Sequence, residues 1–343
     1  VEKSSIREDL YRRDFTINAI AYHPDEGLID PYKGMEDIQQ AILRAVGNPE
    51  ERFTEDALRI LRGIRFSAQL GFAIEEETLR GMLKCAPLLE YISKERIRDE
   101  MMKILLSDRP DKFRQMYEWK LLPYVLPELT ASFTTPQNHP HHIYDVGIHT
   151  IKAVEKMPKE PVLRLAMLLH DIGKPATHTR DEQGIDHFFG HVPMGVEMTK
   201  RILRRLRFDN ETIAKVTTLV EYHDFHIQEK LTRASIKEVL CKIGEDLFEK
   251  LLMIQEADAR AQNPNKLPPK LKQLEETRVV FRDIIKNKEC YTIKDLAIDG
   301  RDLARLGIKE GKIIGDLLQE ALEYVIENPT LNNKEHLIKR ISK

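Results

Sequence analysis

The stretch Thr54–Phe66, TEDALRILRGIRF, sets Asp56 three residues before Arg59 and then repeats arginine at Arg62 and Arg65. On a helix, residues three apart are neighbours, so three arginines at that interval repel one another along one slowly drifting face. A solvated helix face normally mixes signs, and this one predicts that something anionic docks on it. Leu58, Leu61 and Ile64 recur as the buried side, Thr54 reads as an N-cap, and the helix is expected to end near Gly71. From Met35 onward the pattern is helical almost without interruption, so the chain reads as mostly α.

At 343 residues there is length for two or three domains and a sizeable core. Hydrophobic residues make up 41% and charged ones 32%, ordinary values for a soluble globular protein. A formal net charge of −2 excludes a general basic coat, so any nucleic-acid contact has to come from a local basic face. Cys85, Cys241 and Cys290 are far apart, odd in number and form no C-x-x-C pair, which fits reduced thiols in a cytoplasmic protein. No apolar run approaches the ~18 residues that a membrane span needs. The chain opens Val-Glu-Lys with neither Met nor a signal-peptide pattern, and is expected to be a fragment.

Strand signals are confined to the first forty residues. FTINAIAYH (Phe15–His23) alternates apolar and polar side chains, DEG offers a turn and LIDPY returns, which reads as a β-hairpin. Helices are expected around 75–85, 93–106 and 111–120. TASFTTPQNHPHH (130–142) and QNPNKLPPK (262–270) are turn-rich breaks that bracket a second helical domain. A charged helix over about 271–287 then leads to a last unit beginning near Tyr291.

Asp56 and Arg59, one turn apart, would set a carboxylate acceptor beside a guanidinium donor. Cytosine and adenine both show an amino donor next to a ring-nitrogen acceptor, whereas uracil and guanine show a carbonyl and a ring N–H. Such a pair held in plane would accept C and A and reject U and G. Arg62 and Arg65 could meet phosphates. The plainer alternative is an intrahelical ion pair with two exposed arginines.

RRDFTINA (Arg12–Ala19), DPYKG (Asp30–Gly34), RAVGNPEERFTEDALRILRGIRF and SKERIRDEMMKIL (Ser93–Leu105) follow one another in the order of four motifs that this sequence shares with a known family. In them the chain resembles the class II tRNA nucleotidyltransferases, the CCA-adding enzymes, and the bacterial poly(A) polymerases. IKDLAIDGRDLARLGIKEGKIIGDLL resembles the end of the CCA-adding members. The resemblance implies that Arg13 binds the incoming nucleotide, Asp56 and Arg59 template its base, and Arg62 and Arg65 help hold its triphosphate. Asp30 and Gly34 would belong to a hinge-like element between head and neck. The substrates would be ATP and CTP, and the partner tRNA. The family's first motif, a Gly-rich loop followed by an Asp-x-Asp pair that holds Mg²⁺, is not in this sequence; Asp9 and Asp14 are not so arranged. The expectation is a C-terminal portion of such an enzyme that binds nucleotide weakly or not at all and does not polymerise alone.

A second constellation starts with His149 in GIHT and continues with His170–Asp171 in HDIGKP, where Lys174 follows one turn on. His191 stands in FGHVPMG, His223 in EYHD and Asp258 in EADARAQ. His149 and Asp258 would close a site with His170 and Asp171, and His191 and His223 could complete a second metal with Asp171 bridging. Imidazole and carboxylate ligands suit Mn, Fe, Ni, Co or Zn. Twelve histidines will form some clusters by chance, and His139, His141 and His142 are read as solvated, with His178 and His187 unassigned. The pair at the end of the apolar LAMLLHDIGKP is different, because buried charge needs compensation. H…HD…D resembles the HD-domain metal phosphohydrolases. That implies hydroxide generated at the metals, with Asp171 and Lys174 as catalytic residues and Lys174 against a phosphate oxygen. The implied activity is phosphatase or 2′,3′-cyclic phosphodiesterase.

KRILRRLRF concentrates Lys200, Arg201, Arg204 and Arg205, with Arg207 beyond them, on a helix without evident balancing acids. An RNA backbone or plain solvent could face it. The expected architecture is a short β-hairpin remnant of a nucleotidyltransferase head (1–45), a helical neck that reads nucleotide and binds RNA (46–130), an HD domain (131–262) and a helical tail (263–343). The expected function is CMP and AMP addition to tRNA 3′ ends in the complete enzyme. A stand-alone HD phosphohydrolase, a poly(A) polymerase, a CC-adding enzyme and a non-catalytic RNA-binding module remain open.

Overall fold

The computed structural model describes residues 5–225, 232–308 and 311–342. The chain forms two compact units, Val1–Glu221 with Ala257–Pro264, and Tyr222–Glu256 with Asn265–Lys343. Among the described residues the structure is mostly helical, with three two-stranded pairs. None of those helices is long and apolar enough to cross a membrane. The segment 131–262 contributes residues to both units.

The first unit opens with α1 (Ile6–Tyr11), where Ser5 and Glu8 form a capping box. The expected hairpin is present as β1 (Ala21–His23) and β2 (Gly27–Ile29), with Tyr22 opposite Leu28. It is shorter than expected, because Thr16–Asn18 is a turn of 3₁₀ helix. The Thr16 hydroxyl donates to buried Asp37 at 2.6 Å, which draws this segment onto α2 (Gly34–Gln40) instead of into a strand. Asp30 in turn accepts the Gly34 and Met35 N–H groups at the start of α2.

The single helix expected over 54–71 is two helices. α3 (Pro49–Glu55) starts at an Asn48 cap with Pro49 in its first position, and Thr54 lies inside it rather than capping it. Asp56 is extended (φ −151°, ψ 101°), and α4 (Leu58–Leu70) ends at Gly71 with φ +76°. The Asp56 carboxylate accepts the Leu58 N–H at 3.1 Å, the local bond by which an Asp competes with a continuing helix. Short β3 (Ile42–Leu43) and β4 (Ala73–Ile74) pair in parallel beyond the two ends of this helix pair. α5 (Glu76–Cys85) and α6 (Lys94–Leu105) complete the layer around Phe15, Phe53, Ile60, Leu61, Ile64 and Met82. Gly63 lets the helix pack closely there: a Cβ would stand 2.2 Å from the Met82 methyl and 2.9 Å from the Phe15 ring, so these side chains would have to shift.

The rest of the unit comprises α7 (Lys112–Glu118), α8 (Leu122–Val125), α9 (Pro127–Thr130), α10 (Val146–Lys156), α11 (Pro161–Leu169) and α12 (Lys174–Thr177). A small hairpin follows, β5 (Thr179–Arg180) with β6 (Asp186–His187), then α13 (His191–Arg205) and α14 (Asn210–Tyr222). Buried Arg164 donates to the carbonyls of Leu105, Ser107 and Met157, tying α11 to the end of α6.

In the second unit α15 (Arg233–Arg260), whose last turn returns to the first unit, bends at Gly244 (φ +77°). α16 (Leu267–Lys286) starts four residues before the expected 271, with Pro268 and Pro269 in its first turn, where no N–H donor is needed. α17 (Gly300–Arg305), α18 (Gly311–Glu327) and α19 (Lys334–Ile341) pack around Leu303, Leu322, Val325 and Leu337.

Candidate nucleotide cleft and metal centre

Arg13, Asp56, Arg59 and Arg62 line one cleft of about 430 Å³, together with Arg12, Asp14, Asn18 and Arg96. Asp14 is buried and organises the floor: it accepts from Arg62 Nε at 2.6 Å and from Asn18 Nδ2 at 3.0 Å. Arg59 donates to Glu55 at 2.7 Å and to the carbonyls of Arg52 and Arg12. Asp56 accepts from Arg96 Nη2 at 2.8 Å. Arg13, exposed, pairs with Asp9 at 2.8 Å. Asp56 and Arg59 thus share the cleft without forming the intrahelical pair, because Asp56 lies in the break before α4.

Arg65 does not line this cleft. Six residues along a helix amount to a rotation about 120° away from the Arg59 direction, which turns Arg65 toward α6. There its Nε stands 3.0 Å from Glu100, with only 13% and 5% of the two side chains exposed, and its guanidinium lies 4.2 Å from the Phe66 ring. The arginine stripe is therefore compensated from within: Glu55 for Arg59, Asp14 for Arg62, Glu100 for Arg65. Arg12, Asn18 and Arg96 join the cleft without a sequence pattern of their own, and Asp14, not part of an Asp-x-Asp pair, serves as a partner of Arg62. Their only sequence signal is membership of RRDFTIN and SKERIRDE.

The second site is built at the C-terminal end of α11. His170 follows its last residue and Asp171 the next, while His149 projects from α10 and Asp258 from the last turn of α15. All four are buried. His170 Nδ1 lies 2.7 Å from the Met167 carbonyl, so this nitrogen carries a proton and Nε2 is turned toward the carboxylates. His149 Nε2 lies 2.8 Å from Asp258 Oδ1 and 3.7 Å from Asp171 Oδ2; His170 Nε2 lies 3.2 Å from Asp171 and 3.5 Å from Asp258. Ligand bonds of about 2.0–2.2 Å put tetrahedral neighbours about 3.4 Å apart, so the set fits a divalent ion. His149, His170 and Asp171 can ligate one ion together. Burial works against a charged His170, yet Asp171 and Asp258 outweigh it and lift its pKa to about 10. Burial likewise opposes an ionised Asp258, but the two imidazoles hold its carboxyl well below the usual range. The site therefore calls for positive charge. Lys174 Nζ supplies some, 2.7 Å from Asp171 and 2.9 Å from Gln137 Oε1.

His191 heads α13, its Nδ1 2.9 Å from the Phe188 carbonyl. The backbone there is tight: a Cβ on Gly173 would meet the His191 carbonyl at 2.2 Å. His223 is buried in the second unit, where its carbonyl accepts from Gln255. The solvated reading of the linker histidines is corrected. His139, His141 and His142 are half-buried; the His139 ring stacks on His141 and lies tilted to His142, and His142 meets His149 edge-on at 5.4 Å. Burial and nearby Lys174 push His142 down to about 3. His178 and His187 are held by Asp186 and Asp181. The basic helix does have balancing acids, Glu197 for Lys200 and Glu128 for half-buried Arg205, whereas Arg201 and Arg204 are exposed.

Three family models match the chain: "Poly A polymerase head domain" over residues 1–44, "Probable RNA and SrmB- binding site of polymerase A" over 71–133, and tRNA nucleotidyltransferase domain 2 over 177–341. A Multifunctional CCA protein of Nitrosococcus oceani is 32% identical over 92% of this chain and 76% of its own length. A CCA-adding enzyme of Limosilactobacillus reuteri is 30% identical over 98% of this chain and 72% of its own. The fold is similar to the Bacillus stearothermophilus CCA-adding enzyme in complex with CTP, with a TM-score of 0.70 at 24% identity, covering 99% of this chain and 75% of that one. It is also similar to the Thermotoga maritima CCA-adding enzyme complexed with tRNA, with a TM-score of 0.57 at 22% identity, covering 99% and 74%.

Proposed function

This chain belongs to the CCA-adding tRNA nucleotidyltransferase family, and from that premise we propose that it serves the untemplated addition of CMP and AMP to tRNA 3′ ends. The observation that carries the reading is the cleft where Arg13, Asp56, Arg59 and Arg62 meet. Asp56 and Arg59 exchange their present partners, Arg96 and Glu55, for the amino and ring-nitrogen edge of C or A. Arg13 and Arg62 face the triphosphate. Arg65 acts through Glu100, as a brace between α4 and α6. Asp30 and Gly34, at the start of α2, are the hinge-like element between head and neck. The Mg²⁺ of nucleotidyl transfer needs a carboxylate pair that this sequence does not contain as Asp-x-Asp, so no transfer step is assigned to its residues. Competitive binding of CTP, ATP, UTP and GTP tests the reading: wild type prefers CTP and ATP, and Arg59→Ala loses the preference. An unchanged preference would sink the templating role.

Residues 131–262 are read as an HD phosphohydrolase that acts in the cytoplasm on damaged RNA ends. His149, His170, Asp171 and Asp258 would hold one divalent transition metal. A bound ion supplies the Lewis acid and lowers the pKa of water. Lys174 neutralises a phosphate oxygen, and the Gln137 amide oxygen keeps its ammonium in place. Lys200, Arg201, Arg204 and Arg205 present positive charge to the tRNA backbone.

A further inference from the structure

The four candidate ligands of the metal centre are at most 7% exposed, although a metal that does chemistry keeps one position open to water or substrate. A way in has to be opened.

Three consecutive residues after α15 serve the centre and its cover. The Ala261 carbonyl lies 3.4 Å from His149 Nδ1, and Gln262 Nε2 donates to Asp258 Oδ2 at 2.8 Å. Asn263 faces the linker instead: its N–H donates to the His141 carbonyl at 2.9 Å and its Nδ2 to the Pro140 carbonyl at 3.0 Å. Upstream, the same linker is tied to β6. The Asn138 N–H donates to Asp186 Oδ2 at 2.7 Å, and the Asp186 N–H returns to the Asn138 carbonyl at 3.1 Å. Between 135 and 145 the chain forms neither helix nor strand, so bonds of this kind hold it in place and a backbone ladder does not.

The linker meets the centre through His142, whose ring stands edge-on to His149 at 5.4 Å. Its Nδ1 is buried with no hydrogen-bond partner among the described residues. Such a nitrogen gives up its bond to water and receives none in return, so it works against the closed position that the Asn263 bonds favour. Opposed terms hold a segment shut by a small margin, and elements that open are drawn from the less stable parts of a fold.

We propose that residues 138–142 are a strap that gates the metal centre, with Asn263 as its latch and the His142 ring as its stopper. The inference rests on the reading of His149, His170, Asp171 and Asp258 as metal ligands. Closed, the strap shuts out water and ions; open, it exposes His149 and the carboxylates beside it.

The test follows Co²⁺ entering and leaving the full chain by visible absorbance, with EDTA as the trap for release. A gate changes both rates and leaves the balance between them alone. Asn263→Ala, which removes one net hydrogen bond from the closed form, should speed entry and release about fivefold each, with Kd within about twofold of wild type. His142→Ala, which removes the stopper, should speed both as well. Rates that do not move, or a Kd that weakens in step with release, would overturn the gate. If the wild-type chain binds no Co²⁺, the metal reading fails, and hydrogen exchange on the same chain decides the strap separately. Higher deuterium uptake over 137–144 in Asn263→Ala, with α10 unchanged, supports the latch, and equal uptake overturns it.

Discussion

Removing the α4–α6 brace tests whether Arg65 is structural or ligand-facing. Arg65 and Glu100 are both largely buried, and Lys103 Nζ also lies 3.1 Å from Glu100. Losing one partner of a fully buried pair costs about 3–5 kcal/mol, mostly through the charge left behind. Arg65→Met leaves Glu100 with half-exposed Lys103, which lowers the expected cost to about 2 kcal/mol. Glu100→Leu leaves Arg65 over the Phe66 ring without its carboxylate, at about 3 kcal/mol. The double variant loses both charges together, so its cost should fall short of the sum by about 2–3 kcal/mol. Urea unfolding followed by the single tryptophan, Trp119 in the first unit, measures all three. CTP affinity of Arg65→Met should stay within about twofold of wild type. Additive costs, or single costs below about 0.5 kcal/mol, would refute the brace and return Arg65 to the triphosphate.

Asp171→Ala should strip metal from the purified chain, and an unchanged stoichiometry by elemental analysis would refute the HD ligand set. Reversing charge at exposed Arg201 and Arg204 should weaken tRNA binding and flatten its salt dependence; affinity that does not move would make α13 a plain surface helix. Arg205 is left out of that variant because it pairs with Glu128. In the second unit the Arg233 guanidinium lowers the Glu289 pKa from 4.5 to about 2, against some desolvation and with help from Lys237. The unfolded chain therefore binds more protons between those values, and the stability Glu289 contributes is present above pH about 4.5 and lost as pH falls toward 2. Glu289→Gln should flatten stability against pH across that window, and an unchanged slope would refute the assignment.

How far the chain was legible depends on the distance over which each feature is decided. The β1–β2 hairpin is a local matter of alternation and a turn, and it could be read in residues 15–32. Its first four residues could not, because a contact from Thr16 to Asp37 overrode their strand pattern. His170 and Asp171 stood out in the sequence because charge at the end of an apolar run needs a reason, and the structure brings His149 and Asp258 to them. The break at Asp56 was hidden inside an unbroken apolar periodicity. The acids that neutralise Arg62 and Arg65 come from 48 and 35 residues away, and no spacing rule points to them. The linker histidines, read as solvated from their prolines, are half-buried because the segment folds back over α10.

The most direct measurement is NMR of the arginine side chains in ¹⁵N-labelled protein titrated with CTP. The account predicts that the guanidinium resonances of Arg13, Arg59 and Arg62 shift together, that UTP moves them far less, and that Arg65 stays still. Shifts at Arg65 equal to those at Arg59, or identical responses to CTP and UTP, would contradict a cleft that reads the base.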